Sequence, residues 1–204
     1  MPSSESSEAH TELGGDLLPP DGSISGCSYS VKAVVMGSID IDRAIRRIAH
    51  EIIERNRENS DLVIVGLQKG GVWIAERLFQ TLGEIAPGTY FLGSLDISLY
   101  RDDHAIRPLI ESSSTDVSVS VQEKTVILVD DVIFTGRTVR AALEAILGFG
   151  RPNAIQLAVM IDRGHRELPI RPDYVGKNLP TSTYELVDVT PEGVTILEGE
   201  GDES

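Results

Sequence analysis

With 204 residues, 41% of them hydrophobic, the chain has enough apolar material for one globular domain with a real core. A net charge of −14 argues against non-specific nucleic-acid binding, though not against a local basic patch, and no run of about 18 apolar residues marks a membrane-crossing helix. Ten of those negative charges lie at the two ends: residues 1–27 hold Glu5, Glu8, Glu12, Asp16 and Asp21, and residues 192–204 hold Glu192, Glu198, Glu200, Asp202 and Glu203, both without Lys or Arg.

Residues 1–27 are rich in Ser, Gly, Pro and acid and lack periodicity, so they read as a disordered leader. Their start has neither a basic cluster nor an apolar stretch of the secretory-signal kind. The single cysteine, Cys27, forms no intrachain disulfide, which fits a cytoplasmic protein, and it reads as a bystander thiol.

Residues 40–58 form a strong helical pattern: Ile41, Ala44, Ile45, Ile48, Ala49, Ile52 and Ile53 recur at three- and four-residue spacing behind Asp40 as N-cap. DLVIVGL (61–67) is a buried-strand run, QKGG a turn, and GVWIAERLFQTL a second helix. TYFLGSLDISLY (89–100) is strand-like, and the Ser-rich stretch 101–122 is long enough to be a lid or a disordered segment. TVILV (125–129) is another buried strand, TVRAALEAILGFG its following helix, NAIQLAVMI (153–161) a further strand, and STYELVDV and GVTILEG two closing strands. Strands alternating with helices imply an α/β fold with a mostly parallel sheet, whose chemistry sits beyond the carboxyl ends of its strands.

That position is taken by Asp130 and Asp131, followed by the turn Thr135-Gly136-Arg137-Thr138 at a helix start. Helix N-termini expose unpaired N–H groups and seat phosphates, and a glycine lets the backbone come close. Carboxylates beside a phosphate make sense if they face hydroxyl donors or a divalent cation. One ligand satisfies all of this: a sugar with a terminal phosphate and a metal-bound diphosphate. LQKGG (67–71) suits the second phosphate grip. Paired carboxylates also occur in phosphoacceptor receiver domains, but near the first strand, and here two strand patterns precede the pair.

VILVDDVIFTGRT resembles the 5-phosphoribosyl-1-diphosphate (PRPP) motif of type I phosphoribosyltransferases. IRRIAHEIIERN, LDISLYRDD and above all DRGHRELPIRPDYVGKN resemble the pyrimidine operon regulator/uracil phosphoribosyltransferase family, over roughly residues 30–190. The resemblance implies a type I phosphoribosyltransferase fold with a small hood, a transferase domain over 28–191 and an acidic tail over 192–204 with room for a last strand. It implies transfer from PRPP to uracil, giving UMP and diphosphate with Mg²⁺. Asp130 and Asp131 would hold the ribose hydroxyls, Thr135, Gly136, Arg137 and Thr138 the 5′-phosphate, and Gln68, Lys69 and Gly70 the diphosphate. Arg101 would close over the diphosphate, and Met160, Ile161 and Asp162 would meet the base largely through backbone groups. Mg²⁺ would be held mainly through PRPP, with Asp130 and Asp131 as the protein ligands in reach and no dedicated protein site.

The family also regulates transcription by binding pyrimidine operon leader RNA, promoted by the uridine nucleotide, and its members form dimers and higher assemblies. The matching positions are Arg46, Arg47, His50, His165 and Arg166. The competing reading is a solvated helix face, favoured by Glu51, Glu54 and Glu58. Three departures bear on function: Gly70 stands where well-known members carry Arg, Phe134 where a Tyr is often found, and Arg46 where Thr is commonest. Gly70 favours an alternative, a catalytically weak UMP-sensing RNA regulator; a third reading is a transferase for another base.

Overall fold

The computed structural model describes residues 23–24, 27–57, 61–97, 115–117 and 120–199. Its elements run β1 (Ser23–Ile24), β2 (Cys27–Gly37), α1 (Ser38–Arg55), β3 (Asp61–Leu67), α2 (Gly71–Ile85), β4 (Thr89–Leu95), β5 (Thr125–Ile133), α3 (Arg137–Ile146), β6 (Ala154–Asp162), β7 (Tyr174–Asn178), β8 (Leu186–Thr190) and β9 (Gly193–Gly199). Five strands form one sheet in the order β4-β3-β5-β6-β7, every neighbouring pair parallel. No described helix is long and apolar enough to cross a membrane.

The near-continuous apolar runs of β3, β5 and β6 follow from coverage on both faces, since successive side chains point to opposite sides. Ile64, Ile127, Val129 and Met160 face α1 and α2, whereas Val63, Val65, Val126 and Leu128 face α3. The stripe of α1 (Ile41, Ala44, Ile45, Ile48, Ala49 and Ile52) is entirely buried. Asp40 is not the N-cap. Gly37 takes that place, and Asp40, at the third helical residue, accepts the Gly37 N–H at 3.3 Å. At the other end Asn56 donates to the Ile52 carbonyl (2.9 Å) and to Gln156 Oε1 (3.0 Å), which also accepts the Tyr174 hydroxyl (2.6 Å). This buried network ties α1 to β6 and β7.

The second sheet, β1-β2-β9-β8, is antiparallel and joins the two ends of the chain: Tyr29 pairs with Gly199 and Gly37 with Gly193. The expected leader therefore extends too far at its inner end, because Ser23–Ile24 and the chain from Cys27 onward are paired strands. β7 is a strand within a stretch the sequence left unassigned. Gly176 lies so close to the Met160 carbonyl that a Cβ there would sit about 2.5 Å from it.

Candidate active site

Parallel register brings the expected pieces to one end of the sheet. Gly66 of β3 is level with Val129 of β5, and Ile133 of β5 with Asp162 of β6. The turn after β3, the carboxylates of β5 and the end of β6 are therefore neighbours.

Asp130 is buried, and its Oδ1 accepts the Asp131 N–H at 3.0 Å. The Asp131 carboxylate accepts the Val132 N–H at 2.7 Å. Burial pushes the Asp131 carboxyl above its ordinary range, with the Val132 N–H pulling the other way. Across from it stands Asp188 of β8, half-buried. Its carboxyl is lifted by burial and further by the charge of Asp131, against the pull of the Val189 N–H. The Asp131 carboxylate also fills the space a Cβ would need at Gly70. Gly70 is the N-cap of α2, the Gln68–Lys69 peptide is cis, and Lys69 is exposed.

The Thr135–Thr138 turn has the expected shape. Gly136, at φ +93°, is the N-cap of α3 in the left-handed region that glycine tolerates. The Thr135 hydroxyl accepts the Arg137 N–H at 3.4 Å, and its carbonyl accepts the N–H groups of Glu167 (3.0 Å) and Leu168 (3.2 Å). The Arg137 side chain is paired with Glu167 at 2.6 Å, so the seat this turn offers an anion is mainly backbone. Thr138 is half-buried in the first turn of α3.

The remaining expected residues lie as follows. The side chains of Met160 and Ile161 are both 0% exposed inside β6, which leaves their backbone groups and the Asp162 side chain as what this trio can offer a base. Arg101 lies outside the described residues. Arg46 and Arg47 point about 100° apart, as neighbours on a helix do. Arg46 lines a cleft toward α2, whereas Arg47 donates to the carbonyls of Val175 (3.1 Å) and Gly176 (2.6 Å) on β7. His50 is exposed. His165, at φ +55°, holds its Nε2 2.6 Å from the Thr181 carbonyl, its ring in an edge-to-face arrangement with Phe134 at 5.6 Å. Arg166 braces its own loop, donating to Phe134, Gly164 and Ile170 carbonyls and pairing with Asp162 at 2.7 Å.

Sequence reasoning missed Arg163. It is 6% exposed, donates to Thr181 Oγ1 (2.9 Å) and the carbonyls of Ser182 (3.0 Å) and Glu185 (2.6 Å), and lies over the Phe134 ring at 4.4 Å. Glu185 in turn pairs with Lys32 of β2 at 2.6 Å. Arg163 thus couples the end of β6 to the antiparallel sheet. Arg163→Lys keeps the charge but loses the forked geometry and the stacking. It is expected to lower stability by about 1–2 kcal/mol, read as a fall in melting temperature with the far-ultraviolet dichroism retained.

A five-stranded parallel sheet with paired carboxylates at one strand end and a glycine-capped helix start beside them is the arrangement that the resemblance to phosphoribosyltransferases implies. The phosphoribosyl transferase domain model matches residues 39–192. A hypoxanthine-guanine phosphoribosyltransferase from Bacillus anthracis superposes with a TM-score of 0.65 at 18% identity, over 83% of this chain and 99% of that one. Among curated relatives, the bifunctional protein PyrR of Thermoanaerobacter sp. (strain X514) is 54% identical over 167 residues, 80% of this chain and 93% of that protein. PyrR of Bacillus mycoides is 52% identical over 163 residues, 78% and 89% of the two chains. The chain belongs to the PyrR family of phosphoribosyltransferases.

Proposed function

We propose that the protein transfers the phosphoribosyl group of PRPP to uracil, forming UMP and diphosphate, and regulates pyrimidine biosynthesis genes by nucleotide-dependent binding to leader RNA. The observation that carries the transferase reading is the run from Asp130-Asp131 into the Gly136-capped start of α3, in a chain 54% identical to a bifunctional PyrR. The N–H groups at the start of α3 and the hydroxyls of Thr135 and Thr138 hold the 5′-phosphate. Asp130 and Asp131 accept the ribose hydroxyls. The turn at Gln68, Lys69 and Gly70 faces the diphosphate, where the Lys69 charge favours its departure. A uracil nitrogen forms the new bond to the anomeric carbon, the bond to the diphosphate oxygen breaks, and the uracil proton is released. Carboxylates beside that carbon stabilise the positive character it develops.

Among the described residues no group of three His, Cys, Asp or Glu is arranged to hold a metal. The oxygen donors of Asp130 and Asp131 fit Mg²⁺ carried mainly by the diphosphate of PRPP. When bound, the cation neutralises charge building on the leaving group. The protein works in the cytoplasm as a homo-oligomer.

Uracil-dependent release of diphosphate from PRPP, with and without Mg²⁺ and beside other bases, tests this reading. Fast, Mg²⁺-dependent, uracil-selective turnover is expected. Turnover only with another base would reassign the substrate. Gly70, which leaves the diphosphate turn one cation short of the Arg found there in well-known members, favours a second reading, a nucleotide sensor of low activity. That reading predicts no turnover while UMP still raises the melting temperature.

The RNA reading makes a separate prediction. Arg46 is exposed and, unlike Arg47, makes no contact with β7 carbonyls. Arg46→Gln should weaken binding to a single-stranded leader loop, lower the salt slope by about one, and leave transfer kinetics unchanged. Arg47→Gln should in addition lower the melting temperature. Equal RNA affinity for Arg46→Gln and wild type would remove Arg46 from the interface.

A further inference from the structure

The loop after β6 is built onto the phosphate turn. The Arg163 N–H reaches the Ile133 carbonyl at 3.1 Å, and its guanidinium lies over the Phe134 ring. His165 meets the same ring, and Arg166 donates to the Phe134 carbonyl at 2.9 Å. The N–H groups of Glu167 and Leu168 both go to the Thr135 carbonyl. Gly164 apart, every residue from Arg163 to Leu168 therefore touches residues 133–135. His165 depends on this most. At φ +55° it holds a backbone conformation that is costly for a residue with a side chain and that persists where the surroundings fix it. Those surroundings are the Phe134 ring and the Thr181 carbonyl. A shift of the turn is thus felt at His165 and Arg166.

A pair of charges joins the same two segments. Arg137, the first residue of α3, directs Nε at 2.7 Å and a terminal nitrogen at 2.6 Å to one oxygen of Glu167. The two side chains are 61% and 51% exposed, and exposed pairs of this kind are weak. A carboxylate beside an anion's seat also opposes the anion. A brace for the loop would account for the pair, but not for its use of Arg137, the one cation in the turn Thr135–Thr138. A 5′-phosphate carries about two negative charges and several acceptor oxygens. It draws an arginine more strongly than a half-solvated carboxylate does.

We propose that Glu167 is a latch on the phosphate seat: it competes with the 5′-phosphate for the Arg137 side chain, and when the phosphate takes Arg137 the change passes through Phe134 and Thr135 to His165 and Arg166. The latch rests on the reading of residues 135–138 as the seat of a nucleotide's 5′-phosphate. Glu167 acts through Arg137, as a positioning residue. It lowers nucleotide affinity and makes the loop responsive to occupancy of the turn.

The test is a double-substitution cycle on the full chain, with UMP as the probe and its affinity measured by calorimetry at one salt concentration. Both side chains are more than half exposed, so neither substitution threatens the fold, and far-ultraviolet dichroism checks it. Glu167→Gln should bind UMP about two- to five-fold tighter than wild type, the range that loss of an exposed ion pair allows. In the Arg137→Gln background the gain should vanish, because the two residues act as one unit. An equal gain in both backgrounds would mean direct repulsion between Glu167 and the phosphate. No gain in either would mean a simple brace. Both results overturn the latch. The amide signals of His165 and Arg166 supply a second readout. Before UMP is added, those of Glu167→Gln should be displaced from the wild-type positions along the line toward the UMP-bound ones; displacement off that line overturns the relay. No UMP binding by wild type would overturn the nucleotide reading itself and the latch with it, whereas UMP binding with a flat cycle overturns the latch alone.

Discussion

Asp131→Asn is expected to reduce phosphoribosyl transfer by about 10²-fold or more and to raise the melting temperature near neutral pH. Asn keeps an oxygen for the Val132 N–H, so the local hydrogen bond at 2.7 Å survives. What disappears is a charge in a poorly solvated place beside Asp188 and the Gly70 backbone. The sign follows from linkage. Burial puts the folded-state pKa of Asp131 above its unfolded value of about 3.9, so between the two the native state binds more protons than the unfolded state. Stability therefore falls as pH rises through that window. Below the unfolded pKa there is no penalty; above the folded pKa it is complete. The Asn variant should melt higher than wild type at pH 7, and the advantage should vanish below about pH 4. Burial and the Asp131 charge both lift Asp188, so the substitution should also let its carboxyl fall back toward its ordinary range. Calorimetry between pH 4 and 8 beside a UMP-formation assay reads both halves. A variant less stable than wild type at pH 7 would mean that the carboxylate supports the fold rather than straining it.

Adjacent glycines at the start of α2 should respond differently. At Gly71 a Cβ would run into the backbone carbonyl of Val129 and lie 3.0 Å from the Cα of Asp130. Backbone in a central strand has no room to give. Gly71→Ala is expected to cost about 3 kcal/mol, a fall in melting temperature of ~2–4 °C per kcal/mol for a chain of this size. At Gly70 the Cβ meets the Asp131 carboxylate instead, whose oxygens can turn away at the expense of the Val132 N–H bond while its Cβ stays 3.0 Å off. Gly70→Ala should lower the melting temperature less than Gly71→Ala and still lower transfer, because an Asp131 displaced by about 1 Å is enough for a loss of up to 10²-fold. Denaturant unfolding and steady-state kinetics on both variants separate the cases. If Gly70→Ala unfolds the protein and Gly71→Ala does not, the packing at the start of α2 has been misassigned.

Much of the architecture was legible because it is written in local patterns. The stripe of α1 and the unbroken apolar runs of β3, β5 and β6 each have one physical solution in a doubly covered parallel sheet. The paired carboxylates before a Thr-Gly-Arg-Thr turn were legible for the same reason: both lie within nine residues at a strand end. What stayed hidden depends on distant partners. β7 has only five residues, and Gly176 within it is explained by the approach of Met160, not by a turn. Arg163 reads as one more loop charge until residues 181–185 are seen to close over it. Arg47 and Arg166 read as cations offered to a ligand, whereas carbonyls of β7 and of the 162–170 loop take up much of their hydrogen-bonding capacity. Asp188 carries no signal in an alternating strand, and its place opposite Asp131 appears only when β8 folds back over β5.

The antiparallel sheet has a further consequence, for synthesis on the ribosome. β2 is made about 160 residues before its partner β9, with Tyr29 facing Gly199. At roughly 5–20 residues per second, β2 leaves the ribosome ~10–30 s before β9 exists. Throughout that interval Val31, Val34 and Met36 have no β9 strand to pair with, and the face of the parallel core that Met36 shares with Val194 of β9 stays incomplete. Chaperone demand should therefore last until β9 is made and pairs with β2, and a premature stop shortly before residue 193 should leave β2 an unpaired, sticky strand.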